Sequence, residues 1–286
     1  MNKRIIFGFW MMLCLFSCTE KPQQEKIITV TIEPQRYFTE ELADTLFQVI
    51  TMVPPGSSPE TYDPTPQQMV QLSKSKAYFC IGHIGYENAW LDRLKQNNPH
   101  TRFFDNSEGI QYILSGHHHE GHTHSGQNID PHTWISPKEA FILAENICRA
   151  LTELDPAHAE IFRLNGEKLK EKIRQTDQEV EAYLNRSTQK AFIIYHPALS
   201  YFARDYGLKQ YAIEADGKEP SPEQIRKIIE TAKTENIRTV FIQQEFDRKN
   251  AEIVAKETGC KLVVINPLSY HWEEEIIQIA KALADE

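Results

Sequence analysis

The chain has 286 residues, 41% hydrophobic and 25% charged, which excludes a disordered or fibrous polypeptide and allows one large domain or two modest ones. Its formal charge of −9, with no dominant Lys/Arg cluster, argues against nucleic acid as a partner and suits a protein that meets cations.

Lys3 and Arg4 form a short positive segment, and Ile5 to Ser17 follows as an uncharged, mostly apolar run. The run is too short to span a bilayer as a helix and fits the apolar part of a signal peptide. It ends Leu15-Phe16-Ser17-Cys18 and then turns polar. That tetrapeptide resembles the lipobox of bacterial lipoproteins, whose cysteine is diacylated and becomes the mature N-terminus. Residues 1–17 are therefore expected to be a signal peptide, Cys18 the lipidation site and 18–26 a lipidated tether. A plain secretory signal with an incidental cysteine is the competing reading. Losing Lys3 and Arg4 would take the charge from −9 to −11. Cys80, Cys148 and Cys260 are too dispersed for a disulfide framework or a zinc ribbon, and read as small buried hydrophobes.

Ile27 to Ile32 reads as a first strand closed by Pro34, and Leu46 to Met52 as a second. Thr65-Pro66-Gln67-Gln68 opens a helix with an N-cap, an N1 proline and a capping-box glutamine. Ala77 to Ile81 is a third strand, Tyr86 to Gln96 a helix, and Ser136-Pro137 starts another helix running to about Glu153. From Asp155 to Leu184 the apolar positions Ile161, Leu164, Leu169, Ile173, Val180 and Leu184 recur near helical spacing in a polar context. That pattern fits a long helix bridging two lobes. Strands and helices then alternate again: strands at 191–195, 211–214, 239–243 and 261–265, helices at 198–206, 222–235, 250–258 and 273–284. Such alternation implies parallel sheets flanked by helices, so the fold class is α/β with two lobes. The expected divisions are an N-terminal lobe at 27–154, a connecting helix at 155–188 and a C-terminal lobe at 189–286. Ligands of such folds sit beyond the carboxyl ends of strands, here in the cleft between lobes.

Five of the eleven histidines, His117, His118, His119, His122 and His124, crowd into one loop without helical or strand period, at 116–124. Imidazole suits zinc, copper and nickel, so this loop is a candidate auxiliary metal-capture segment; a solvated polar loop without function is the alternative. His132 stands in Asp130-Pro131-His132-Thr133-Trp134-Ile135-Ser136-Pro137, pinned by two prolines before a capped helix. His196 lies at the end of the strand 191–195. Either histidine alone reads as structural more readily than as a ligand. Glu245 and Asp247 follow a later strand and read as rim or capping carboxylates. His271 reads as loop packing, and His83 and Glu87 as structural.

Together these segments resemble a family. Asp130 to Pro137 is similar to the DPHxWLSP-type signature of the ZnuA/TroA-like (cluster A-I) binding proteins of zinc and manganese ABC importers. Tyr195-His196, the Tyr201 to Leu208 stretch, Glu219-Pro220-Ser221 and Pro55 to Pro59 match as well, in order along the mature chain. The resemblance implies two pseudo-symmetric lobes, a rigid connecting helix and one metal between the lobes. It implies an extracytoplasmic monomer, anchored to the membrane, that delivers the ion to a permease with a cytoplasmic ATPase. The family's ligand positions map onto Glu60, where a histidine is usual, His132, His196 and Asn266, where an aspartate is frequent. Asn266 offers only a neutral carbonyl, so water, a loop histidine or Glu245 is left to complete the shell. Two imidazoles and one carboxylate leave Zn²⁺ at net +1, and this set with the His-rich loop favours zinc as the transported ion over manganese, which prefers oxygen-rich shells. A zinc hydrolase shares that ligand count, but the sequence holds no His-Glu-x-x-His helix and no nucleophile elbow, so no enzyme is expected. A metal-buffering lipoprotein without a transporter is the remaining alternative.

Overall fold

The computed structural model describes residues 26–114, 129–214 and 217–284. The signal run, Cys18 and the His-rich segment 116–124 lie outside the described residues. Among the described residues no helix is long and apolar enough to cross a membrane.

Among the described residues, eight strands form two four-stranded sheets, every strand pairing parallel. The first holds β1 (Ile27–Val30), β2 (Gln48–Thr51), β3 (Ala77–Cys80) and β4 (Arg102–Asp105) in the order β2-β1-β3-β4. The second holds β5 (Ala191–Ile194), β6 (Lys209–Ala212), β7 (Thr239–Gln243) and β8 (Lys261–Ile265) in the order β6-β5-β7-β8. The two orders are the same when counted from each lobe's first strand, which is the expected pseudo-symmetry. Central strands β3, β5 and β7 are buried along their whole length, as parallel strands covered on both faces must be. In each sheet the order reverses beside the first strand, and side chains beyond the strand ends there face a crevice.

The helices are α1 (Glu33–Ala43), α2 (Pro66–Leu72), α3 (Gly85–Asn97), α4 (Pro137–Leu154), α5 (Ala159–Leu184), α6 (Ser200–Asp205), α7 (Pro222–Thr234), α8 (Lys249–Thr258) and α9 (Trp272–Leu283). The Thr65, Ser136 and Ser221 starts form as the sequence indicated. Thr65 and Ser221 make complete capping boxes with Gln68 and Gln224, and Ser136 accepts from the Lys138 N–H. Two elements were not anticipated. Pro34 was taken to stop a strand, yet it occupies the first turn of α1, where a missing N–H costs nothing. Strand β4 is a half-exposed edge strand with Arg102 and Asp105 at its ends, so its apolar signal is only Phe103-Phe104. The long helix starts at Ala159 rather than Asp155: Pro156 disfavours the helical region for the residue before it, and a 3-10 turn, Pro156–His158, intervenes.

Helix α5 is 26 residues long, about 39 Å at 1.5 Å per residue. Its buried stripe, Phe162, Gly166, Leu169, Ile173, Thr176, Val180 and Leu184, is covered by α4, α1 and α9. The largest apolar cluster runs without interruption from Ile28 and Phe38 through Leu169 and Ile173 to Phe192, Trp272 and Ile276. Core is therefore shared between the two sheets. The last helix crosses back onto the first lobe: Trp272 packs on Phe38 with ring centroids 5.2 Å apart, Tyr37 donates to Glu273, and Tyr270 donates to Glu40. Cys80 and Cys260 are buried and Cys148 half-buried, all three as free thiols.

Candidate metal centre

His132 follows Asp130-Pro131, whose geometry fixes the ring. The Asp130 carboxylate accepts from the His132 main-chain N–H and from its Nδ1, both at 2.9 Å. A carboxylate only accepts, so Nδ1 carries the hydrogen and Nε2 is left to face outward. Trp134, two residues on, is buried with its indole N–H donating to the Pro267 carbonyl, which ties the turn to the other lobe.

His196 sits two residues beyond β5 and is held from three sides. Its Nδ1 donates to Glu214, just past β6, at 2.8 Å. The Gln243 side chain at the end of β7 accepts from the His196 N–H and donates to its carbonyl. Phe246 stacks flat on the imidazole, 5.3 Å between centroids at 16°. The Glu214 and Gln243 roles are not legible from sequence, because both contacts are made between segments 18 and 47 positions apart in the chain.

Glu60 lies in the turn after β2. One carboxylate oxygen accepts from the Gly85 N–H at the start of α3, at 3.2 Å. A Cβ on Gly85 would stand 2.3 Å from the Glu60 carbonyl and 2.8 Å from its carboxylate, so this approach needs glycine. The loop before α3 is tied down by buried Glu87, which accepts from the Ile81 and Gly82 N–H groups and from Thr31. Burial pushes the Glu87 carboxyl up to about 7 against those donors. The other Glu60 oxygen, Oε1, is buried, has no hydrogen-bond partner and lies 3.9 Å from His132 Nε2.

The three side chains come from three different post-strand segments and converge, each offering a ligand atom within 4.8 Å of the other two. The two Nε2 atoms are 3.3 Å apart. With both rings donating through Nδ1, neutral imidazoles would set two lone pairs against each other there, an arrangement that a shared cation relieves. Tetrahedral zinc with Zn–N near 2.0–2.1 Å separates two nitrogen ligands by about 3.3 Å. The residues therefore fit a divalent ion. Carboxylate–histidine–metal relays of this kind fix ring orientation and raise ligand basicity.

Electrostatics point the same way. Burial works against charging His132, but the Asp130 charge and hydrogen bond, with Glu60 and Glu214, outweigh it and raise its pKa. Burial likewise works against ionising Asp130, and His132 more than offsets that, lowering the Asp130 pKa. A site that attracts a proton this way without metal attracts a metal cation too.

Asn266 does not line the small cavity shared by Glu60, His132 and His196. Its side-chain oxygen accepts from the Leu268 N–H in a tight turn, and it lines a neighbouring cavity with Glu33 and Gln244. Glu245 lines the same small cavity as Glu60, His132 and His196, but stands outside the 4.8 Å group. Asp247 accepts from the Lys249 N–H ahead of α8, His271 is exposed against Tyr270, and His83 packs edge-on against Tyr112.

Residues 28–285 match the family model described as zinc-uptake complex component A, periplasmic. The chain belongs to this family. Within it, the chain is 34% identical to a solved ZnuA, with a TM-score of 0.84 over 91% of this chain and 98% of that one. A Chlamydia muridarum protein provisionally named for metal binding is 26% identical over 98% of both chains. The zinc-binding lipoprotein AdcA of Streptococcus pneumoniae is 28% identical over 92% of this chain but 54% of its own length, so the chain spans about half of that relative. Zinc-uptake component A proteins are binding components of ABC importers that work with a permease and an ATPase, and are not enzymes. The two parallel lobes and the long helix are those of the family fold.

Proposed function

We propose that Glu60, His132 and His196 are the ligands by which this protein captures one zinc ion outside the cytoplasm for delivery to its importer. The 3.3 Å approach of two Nε2 atoms, each ring locked through Nδ1 onto a carboxylate, is the observation that carries this reading. Zinc accepts a mixed nitrogen and oxygen shell, whereas manganese favours oxygen. The oxygen of Glu60 makes manganese the second reading. In the same proposal Cys18 carries the lipid that holds a monomer at the membrane. The histidines 117, 118, 119, 122 and 124 load ions weakly and pass them to the tight site. Support for the anchor and the loop comes from the sequence alone.

The test is a chelator competition titration of metal-stripped protein with Zn²⁺ and Mn²⁺. One tight zinc per chain is expected, with affinity falling by at least about 100-fold in His132→Ala and in His196→Ala. Full affinity in the double variant would remove these residues from the site, and manganese outcompeting zinc would overturn the metal assignment.

A further inference from the structure

The cavity between Glu60, His132 and His196 measures about 20 Å³. That is room for one water-sized body, since a water needs about 10–15 Å³ by the same measure. Two buried side-chain oxygens without any partner line it: Glu60 Oε1 and Glu245 Oε2. A buried acceptor left unpaired is destabilising, more so when ionised, so a pair of them around one cavity calls for a shared cationic partner. Three ligands do not close a tetrahedral shell, and Asn266 lines a neighbouring cavity rather than this one.

We infer that Glu245 supplies the fourth ligand, swinging onto the captured ion and making the site a two-histidine, two-carboxylate shell. The inference rests on the assignment of Glu60, His132 and His196 as ligands. Segment 243–246 is built around His196: Gln243 clamps the main chain of that histidine and Phe246 stacks on its ring. The Glu245 backbone is thus fixed relative to one ligand, and its side chain already lines the cavity that the three ligands share. Two carboxylates balance the charge of a divalent ion, where Glu60 alone leaves +1. The second carboxylate thereby takes over the charge that an aspartate at position 266 would bring.

Cobalt serves as the spectroscopic probe. Co²⁺-loaded protein is compared with Glu245→Gln, which keeps size and removes charge, and with Glu245→Asp, which shortens the reach by one methylene. Zinc affinity is measured alongside, and metal-free thermal melts confirm that each variant folds. The expected result is an altered visible d–d spectrum in Glu245→Gln and a rise in zinc Kd of about 10- to 100-fold, with Glu245→Asp between it and the parent. An unchanged cobalt spectrum overturns the assignment, whether or not affinity falls, because a neighbouring charge that is not a ligand would weaken binding without altering the shell. Should the histidine variants lose the tight site while Glu245→Gln keeps the parent spectrum, this inference alone fails. If the histidine variants keep the tight site, the parent assignment fails and takes this one with it.

Discussion

His132 is pulled by two opposing effects, burial against charge and Asp130 with Glu60 and Glu214 towards it, and the second wins. As the ligand proposed above, His132 would give up to zinc a proton held more tightly than on a free imidazole. Apparent zinc affinity is expected to fall as pH is lowered past the His132 pKa, by up to about tenfold per unit for one displaced proton. Competition titrations at pH 8, 7 and 6, with calorimetry in buffers of different ionisation enthalpy to count the proton, check this; an affinity flat across that range would exclude His132 as the displaced base. In the metal-free protein the raised His132 contributes stability that is complete below its unfolded value and is lost as pH rises through its folded one. The lowered Asp130 contributes stability present above its unfolded value and lost as pH falls through its folded one. The pair is thus most stabilising between about pH 3.9 and 6.5. A second expectation concerns Gly85. Alanine there drives a Cβ into the Glu60 carbonyl and carboxylate, so Gly85→Ala should cost about 1–3 kcal/mol of stability and weaken zinc capture. Denaturant melts and chelator competition measure the two effects, and unchanged zinc affinity would show that Gly85 does not position Glu60. His132 and His196 were legible in the sequence as histidines beside prolines, while the family resemblance alone made them and Glu60 legible as candidate ligand positions. Glu214, Gln243 and Gly85 were not, since their roles arise from contacts between loops 18 to 47 positions apart.

Elements show a similar division. Helices opened by Ser or Thr followed by Pro declared themselves, because the cap is a local hydrogen-bond arrangement written in four residues. Central strands did too, as unbroken apolar runs. Helix α1 did not: Glu33, Gln35 and Thr39 are buried in it, so its inward face carries polar groups that break the apolar period. Those groups are satisfied within the helix and its entry, where Glu33 pairs with Arg36, Thr39 donates to the Gln35 carbonyl and Gln35 accepts from the Thr31 N–H, and by one distant partner, Asn106, to which Gln35 donates. The long polar helix α5 was legible as a bridge, and one residue in it makes a sharp case. Gly166 is buried mid-helix, and a Cβ there would meet Cys148 Sγ at 3.4 Å and Leu42 Cδ2 at 3.6 Å, ordinary contact distances. Gly166→Ala should therefore gain the helical advantage of alanine, about 0.5–1 kcal/mol, while leaving zinc affinity unchanged. Urea denaturation decides it: a loss of stability would mean that the α4–α5 packing cannot accept a methyl group.

At the scale of the whole molecule the question is whether two lobes behave as two bodies. Each has its own satellite cluster, around Tyr78 in the first and Ile193 in the second. The dominant core, however, belongs to both, running along α5 and returning through α9. Trp272 is its cross-tie: the ring packs on Phe38, and its N–H donates to the Trp134 carbonyl, two residues from His132. On the far side of the cleft, Arg204 of α6 pairs with Glu139 of α4 and donates to the Gln111 carbonyl. Opening a wide hinge would break that continuous apolar contact, so capture of an ion falls to side-chain and loop movement at the cleft. The metal-free chain is accordingly expected to unfold in one calorimetric transition, with calorimetric and van't Hoff enthalpies equal. Trp272→Ala should lower stability by about 3–5 kcal/mol. It should also split or broaden that transition, because the shared core loses its largest cross-lobe side chain. Two resolved transitions in the parent protein would show that the lobes fold independently, and the cleft would then be free to close as a hinge on its ion.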